Sequence, residues 1–181
     1  MNMKVEYEVP LSQNVRLLGR LDIPGGGQVV VQGNYAYVGH MKPPLGTSII
    51  DISDPANPKV VSHVDPPDWS HTHKVRVAGD IMITNVEQDR RHFLRKGDKI
   101  PALRAAGNSD AEIAAQLGVT VDDIPDLDAA RERGYDGGGF RVWDISDKAS
   151  PKLLSYIKTH GFGTHRFDTV SYTHLRAHET G

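Results

Sequence analysis

The chain has 181 residues, with 21 Lys and Arg against 23 Asp and Glu and a formal net charge of −2. That near-balance gives no electrostatic reason to expect a polyanion or a membrane surface as partner. Cysteine is absent, which excludes disulfides and thiolate chemistry, and no run approaches the ~18 apolar residues of a transmembrane helix.

Residues Met1-Asn2-Met3-Lys4-Val5-Glu6-Tyr7-Glu8 carry no apolar signal core, so a cytoplasmic location is the default expectation. Beyond them the chain repeats itself. A unit running from Val29 to Val38 recurs from Val75 to Thr84, at the constant offset of Gly33 from Gly79. A second unit, Ile49 to Ser62, returns as Val142 to Ser155, and a degenerate copy of its last part stands at Arg16-Leu17-Leu18-Gly19-Arg20-Leu21. The period is about 45 residues, doubled once by an insertion, and short strands at that period are the signature of a β-propeller blade. Gly33-Asn34 and Gly79-Asp80 each separate two β-rich runs and supply the positive φ of a tight hairpin. Ser53-Asp54-Pro55-Ala56-Asn57-Pro58 and Ser146-Asp147-Lys148-Ala149-Ser150-Pro151 combine Asx-turn formers with prolines and mark corners between strands. Strands are therefore expected at 28–32, 35–40, 47–52 and 59–64 in one blade, and at 73–78, 81–87, 139–145 and 152–157 in the next.

The expected fold class is all-β: a β-propeller fragment of about two blades plus flanking strands, with a helical insertion in the loop between strands B and C of the second blade. Residues 1–169 form the partial propeller, 88–137 the insertion within it, and 170–181 a non-native tail. A closed propeller needs at least about four blades, so the chain is expected to be a piece of a larger protein.

Thr47-Ser48-Ile49-Ile50-Asp51 and Phe140-Arg141-Val142-Trp143-Asp144, each followed by a Ser-Asp corner, resemble the motif of the LVIVD-repeat β-propeller family. The second departs from the pattern at Arg141 and Trp143. The resemblance implies the propeller fold and little about activity, since members of the family mostly lack an assigned one. A more distant likeness, in propeller plan and axial histidines, is to the selenium-binding or methanethiol-oxidase propellers. Residues Val170 to Thr180 look like the translation of a sequencing adapter read through at the end of a DNA fragment. After Thr164-His165-Arg166-Phe167-Asp168 the blade pattern predicts a Gly-Asn-type hairpin and a second β run, and the sequence supplies neither, so residues 170–181 are set aside and His174 and His178 leave the inventory.

Thr72-His73-Lys74 returns as Thr164-His165-Arg166, in register on successive blades. His71 and His73 lie two apart at the start of a first strand, so on extended backbone both face one way, and His165 occupies the equivalent place in the neighbouring blade. Three imidazoles around the axial mouth suit a divalent transition metal with one position open to water or a small-molecule ligand. The corresponding place in the first blade is Gly27. The competing reading is that these are neutral histidines bonded to backbone groups. His160, in the loop between blades, is a candidate accessory ligand. Glu87 and His40 end B strands at the same mouth, and Glu87 suits a proton acceptor for metal-bound water. Trp69, Trp143, Tyr35 and Tyr37 read as packing between blades.

In the insertion, Ser109-Asp110-Ala111-Glu112 is a capping box opening a helix that ends at Gly118, and 121–133 is expected to be a second helix interrupted or restarted at Pro125. The pair faintly resembles a helix-turn-helix. Its second helix carries Asp122, Asp123, Asp126, Asp128 and Glu132, which is the wrong charge for phosphates, so no nucleic acid is expected. A lid over the axial mouth competes with surface decoration or a subunit contact. The functional expectation is a propeller of unassigned activity binding a transition metal, working as a metal-dependent oxidoreductase or hydrolase. The alternative is a non-catalytic scaffold for a protein partner.

Overall fold

The structure, a computed structural model, describes residues 14–169 and 175–178. The first described segment, 14–23, holds no strand where a degenerate repeat copy was expected. Residues 26–64 then form one antiparallel sheet in chain order: β1 (Gly26–Gln32), β2 (Tyr35–His40), β3 (Thr47–Asp51) and β4 (Lys59–Val64). The second sheet is built from β5 (Ser70–His71), β6 (Val75–Ala78), β7 (Ile81–Gln88), β8 (Gly139–Asp144) and β9 (Lys152–Lys158). The hairpin turns behave as read from the sequence. Gln32 pairs with Tyr35 and Ala78 with Ile81, and in each two-residue turn only the glycine takes a positive φ, 59° at Gly33 and 60° at Gly79. The corners are Asx-turns, with Asp51 accepting from Ser53 N and Asp144 from Ser146 N at 2.8 Å each.

The first strand of the second sheet differs from expectation. It is broken into β5 and β6 because the ladder is interrupted at residues 72–74. There the Asn85 side chain takes over: its Oδ1 accepts from Lys74 N at 2.8 Å, while Thr72 bridges instead to His40 of the first sheet. Gln28 N in β1 donates to His73 O at 3.0 Å, so the break is also where the two sheets meet. Gly27 lies opposite, and a Cβ there would stand 2.8 Å from His73 O, so the absent side chain makes room for this approach.

Between the sheets lies a shared core of Tyr37, Ile49 and Val64 from the first and Val75, Met82 and Trp143 from the second, with Ile145 just after it. Burial of these large side chains, at about 1.5–3 kcal/mol each, is what fastens one sheet to the other. Tyr37 and Trp143 thus pack between sheets, and Tyr35 lies against them. Trp69 does not: it is 57% exposed, with the Arg133 guanidinium 3.8 Å from its ring centroid.

The segment between β7 and β8 is helical: α1 (Arg91–Leu94), a 3-10 turn (Arg95–Lys99), α2 (Ile100–Ala105), α3 (Asp110–Leu117) and α4 (Asp123–Arg133). Helix α3 begins at the Ser109/Glu112 capping box and ends at Gly118 in the left-handed region. Helix α4 runs unbroken through Pro125, which sits in its first turn where a missing N–H costs nothing. Ile100, Ile113, Ala114, Ile124 and Leu127 give these helices a core of their own. At the far end, β10 (Arg166–Thr169) pairs antiparallel with β11 (Leu175–His178), a second β run where none was expected. The rest of the presumed tail, like residues 1–13, lies outside the described residues.

Candidate metal centre

Three segments converge beside the end of β7. His71 is in β5, His73 in the broken stretch after it, and His165 follows Gly163, which bridges to Glu87. Asn85 is the joint between them: besides holding Lys74 N, its Nδ2 donates to Thr164 O at 2.9 Å and faces His73 Nδ1 at 3.4 Å. One fully buried amide thereby fixes the backbone on both sides of the histidine-bearing segments.

Glu87, 1% exposed, is the hub. Its Oε2 lies 2.8 Å from His165 Nδ1, 3.2 Å from His71 Nε2 and 3.8 Å from His73 Nδ1. Its Oε1 forms an ion pair with Arg91 Nη1 at 2.7 Å. The ring centroids stand 4.7 Å apart for His71 and His73 and 5.0 Å for His73 and His165. The ligand atoms of His71, His73 and Glu87 all lie within 4.8 Å of one another. His71 Nδ1 faces Asp89 Oδ1 at 3.4 Å, an outer carboxylate that orients the ring.

The electrostatics push in opposite directions on neighbouring groups. Burial, helped by the charge of His71 and opposed by that of Glu87, drives His73 down to about 3. Burial alone would raise Glu87, but hydrogen bonds from His71 and His165, with the charges of His165 and Arg91, bring it down to about 2. The site therefore presents a neutral imidazole and an ionised carboxylate, the protonation states a metal requires of such ligands. Both shifts make the fold acid-sensitive. His73 is neutral when folded and titrates near 6.5 when unfolded, so the unfolded chain binds the extra proton below pH 6.5. Glu87 stabilises above its unfolded value of 4.5, and that contribution is lost as pH falls toward 2. Urea denaturation of the metal-free protein should show stability declining from pH 6.5 to 4.5 and more steeply below. His73→Phe should flatten the upper part of that decline, and a wild-type midpoint constant across it would contradict the burial argument.

Of the candidates named from sequence, the structure brings together His71, His73, His165 and Glu87. His40 is buried but turned elsewhere, with Nδ1 bonded to Pro24 O at 2.6 Å and Nε2 to Ser48 Oγ at 2.8 Å. His160 is exposed, and no hydrogen bond or ion pair joins it to the cluster among the described residues. Sequence reasoning missed Asn85, Asp89 and Arg91. Asn85 carried a signal, being a lone amide inside the apolar run Ile81-Met82-Ile83-Thr84-Asn85-Val86, whereas the other two sit in an unremarkable charged stretch.

Two repeated antiparallel sheets with a histidine and carboxylate cluster at their junction define a mostly β repeat protein. The LVIVD repeat family matches residues 26–66 and 135–159, so the chain carries LVIVD repeats, one over the first sheet and one over the closing strands of the second. No curated protein matches the chain.

Proposed function

We propose that the two sheets are neighbouring propeller blades and that the protein binds a divalent transition metal at their mouth through His71, His73 and His165, with Glu87 as a fourth ligand. The observation that carries this reading is one carboxylate oxygen within 2.8–3.8 Å of three imidazole nitrogens from separate segments. Metal bonds of about 2.1 Å put neighbouring ligand atoms roughly 2.9–3.5 Å apart; the ligand atoms of His71, His73 and Glu87 all lie within 4.8 Å of one another, and His165 stands against Glu87 at the edge of that group, so small side-chain adjustments would bring the four onto one ion. Zinc, copper, nickel or iron suit a nitrogen-rich set of this kind. His165 is the most accessible ring of the three, its side chain 35% exposed, so a small molecule would reach the ion from its side. A metal held here supplies Lewis-acid or redox chemistry, which corresponds to a hydrolase or an oxidoreductase.

One observation favours the rival, a non-catalytic scaffold: Glu87 already has partners in Arg91, His71 and His165, so the cluster closes without an ion. Metal analysis separates the two. Chelator-treated protein exposed to Zn²⁺, Cu²⁺, Ni²⁺ or Co²⁺ and then dialysed should retain about one ion per chain, and His73→Ala and His165→Ala should each abolish retention. A protein that retains no ion, or variants that hold it as wild type does, would leave the scaffold.

A further inference from the structure

Arg91 is the one charge at the histidine cluster that the insertion supplies. It is the first residue of α1, and Phe93 and Leu94 of the same turn pack against the core of the insertion, so its guanidinium is carried by that body rather than by either sheet. At the cluster it meets Glu87 Oε1 at 2.7 Å, with its side chain 21% exposed and that of Glu87 2%. The imidazole nitrogens lie against the other oxygen, Oε2. Arg91 therefore leaves the candidate ligand atoms unobstructed while cancelling the charge of the carboxylate among them.

Resting on the metal-binding reading above, we propose that Arg91 governs how tightly the cluster holds a divalent cation: its charge weakens the hold, and withdrawal of α1 tightens it. Neutral imidazoles and one carboxylate offer an ion a single negative charge, and with Arg91 in place the surroundings are neutral. Like charges a few ångströms apart at a partly buried site are poorly screened, and their repulsion exceeds a tenfold factor in binding. Asp89, whose Oδ1 stands 3.4 Å from His71 Nδ1, acts in the opposite sense. Coupling of this kind is reciprocal, so an ion at the cluster loosens the Arg91 contact, and occupancy of the site is linked to the seating of the insertion. An Arg91 that merely props Glu87 in place predicts the opposite sign, since its loss would disorder the cluster and weaken binding.

Titration of the chelator-treated full chain with Zn²⁺, in competition with a chromophoric chelator, reads that sign. Arg91→Met should lower the Kd for Zn²⁺ about 10-fold or more, even though the metal-free variant unfolds at a lower urea concentration than wild type. Arg91→Lys, which keeps the charge, should stay within about 3-fold of wild type, and Asp89→Asn should raise the Kd. His73→Ala/Arg91→Met should bind no better than His73→Ala alone, which ties the gain to this cluster. Arg91→Met binding as wild type does or more weakly, Arg91→Lys tightening as much as Arg91→Met, or Asp89→Asn tightening at all would overturn the proposal and leave the metal reading standing. Retention of Zn²⁺ by neither wild type nor Arg91→Met would instead remove the metal reading, and this proposal with it.

Discussion

Gly163→Ala should destabilise the protein by about 3 kcal/mol or more and release His165 from the cluster. Gly163 has a φ of 92°, and a Cβ there would stand only 2.2 Å from Val86 O and 3.1 Å from Glu87 Cα. Those are backbone atoms of β7, which is paired on both sides and cannot yield as a flexible side chain would. The loop must move instead, and the bonds disturbed are the Gly163 bridge to Glu87 and Thr164 N to Val86 O at 3.2 Å, which together with the Asn85 amide bond to Thr164 O set His165 against Glu87. Gly161 is the internal control. Its φ of 70° is likewise positive, but nothing lies within 4 Å of an added Cβ, so Gly161→Ala should cost only the ~1–2 kcal/mol of left-handed backbone. Chemical denaturation of the two variants beside wild type reads the difference, and equal costs would show that the approach to β7 is not what constrains this loop. Metal retention should fall in Gly163→Ala and persist in Gly161→Ala.

The contrast between those two glycines marks where sequence reading stops. The hairpins at Gly33 and Gly79 were legible because turn type is local: two β runs, a two-residue gap and a glycine suffice. The α3 boundaries were legible for the same reason, through Ser109, Glu112 and Gly118. The break at residues 72–74 was not, because the group that replaces the ladder there is the Asn85 amide, supplied from the next strand. The convergence of His71, His73 and His165 could be anticipated from the repeated Thr-His tripeptide, yet the carboxylate that gathers them could be ranked only as one strand-end residue among several. His40 shows the opposite failure: it ends the matching strand but stands at the register position of Val86, one residue before that of Glu87, and Ser48 and Pro24 O engage both its ring nitrogens. On extended backbone a shift of one residue turns a side chain to the other face, so sharing a strand end did not place His40 beside the cluster. Arg91 belongs to the non-repeated insertion, so no internal comparison pointed to it.

Glu87→Leu at neutral pH should remove about 3–5 kcal/mol of stability, comparable to the Gly163 variant but by a different route. The carboxylate is almost fully buried and is the only ion-pair partner of Arg91 among the described residues, so its loss strands a partly buried guanidinium and two imidazoles that point at one oxygen. Sign distinguishes this from simple loss of packing. Removing both charges in Glu87→Leu/Arg91→Leu should recover part of the loss, since a buried pair replaced by apolar groups costs less than a pair broken on one side. Glu87→Gln should fall between, keeping the shape but not the charge that answers Arg91. Saturating Zn²⁺ should raise the wild-type unfolding midpoint by mass action and leave Glu87→Leu nearly unmoved. If the double variant is less stable than the single one, or if Glu87→Leu gains as much from Zn²⁺ as wild type, the carboxylate is neither the electrostatic centre of this cluster nor a ligand within it.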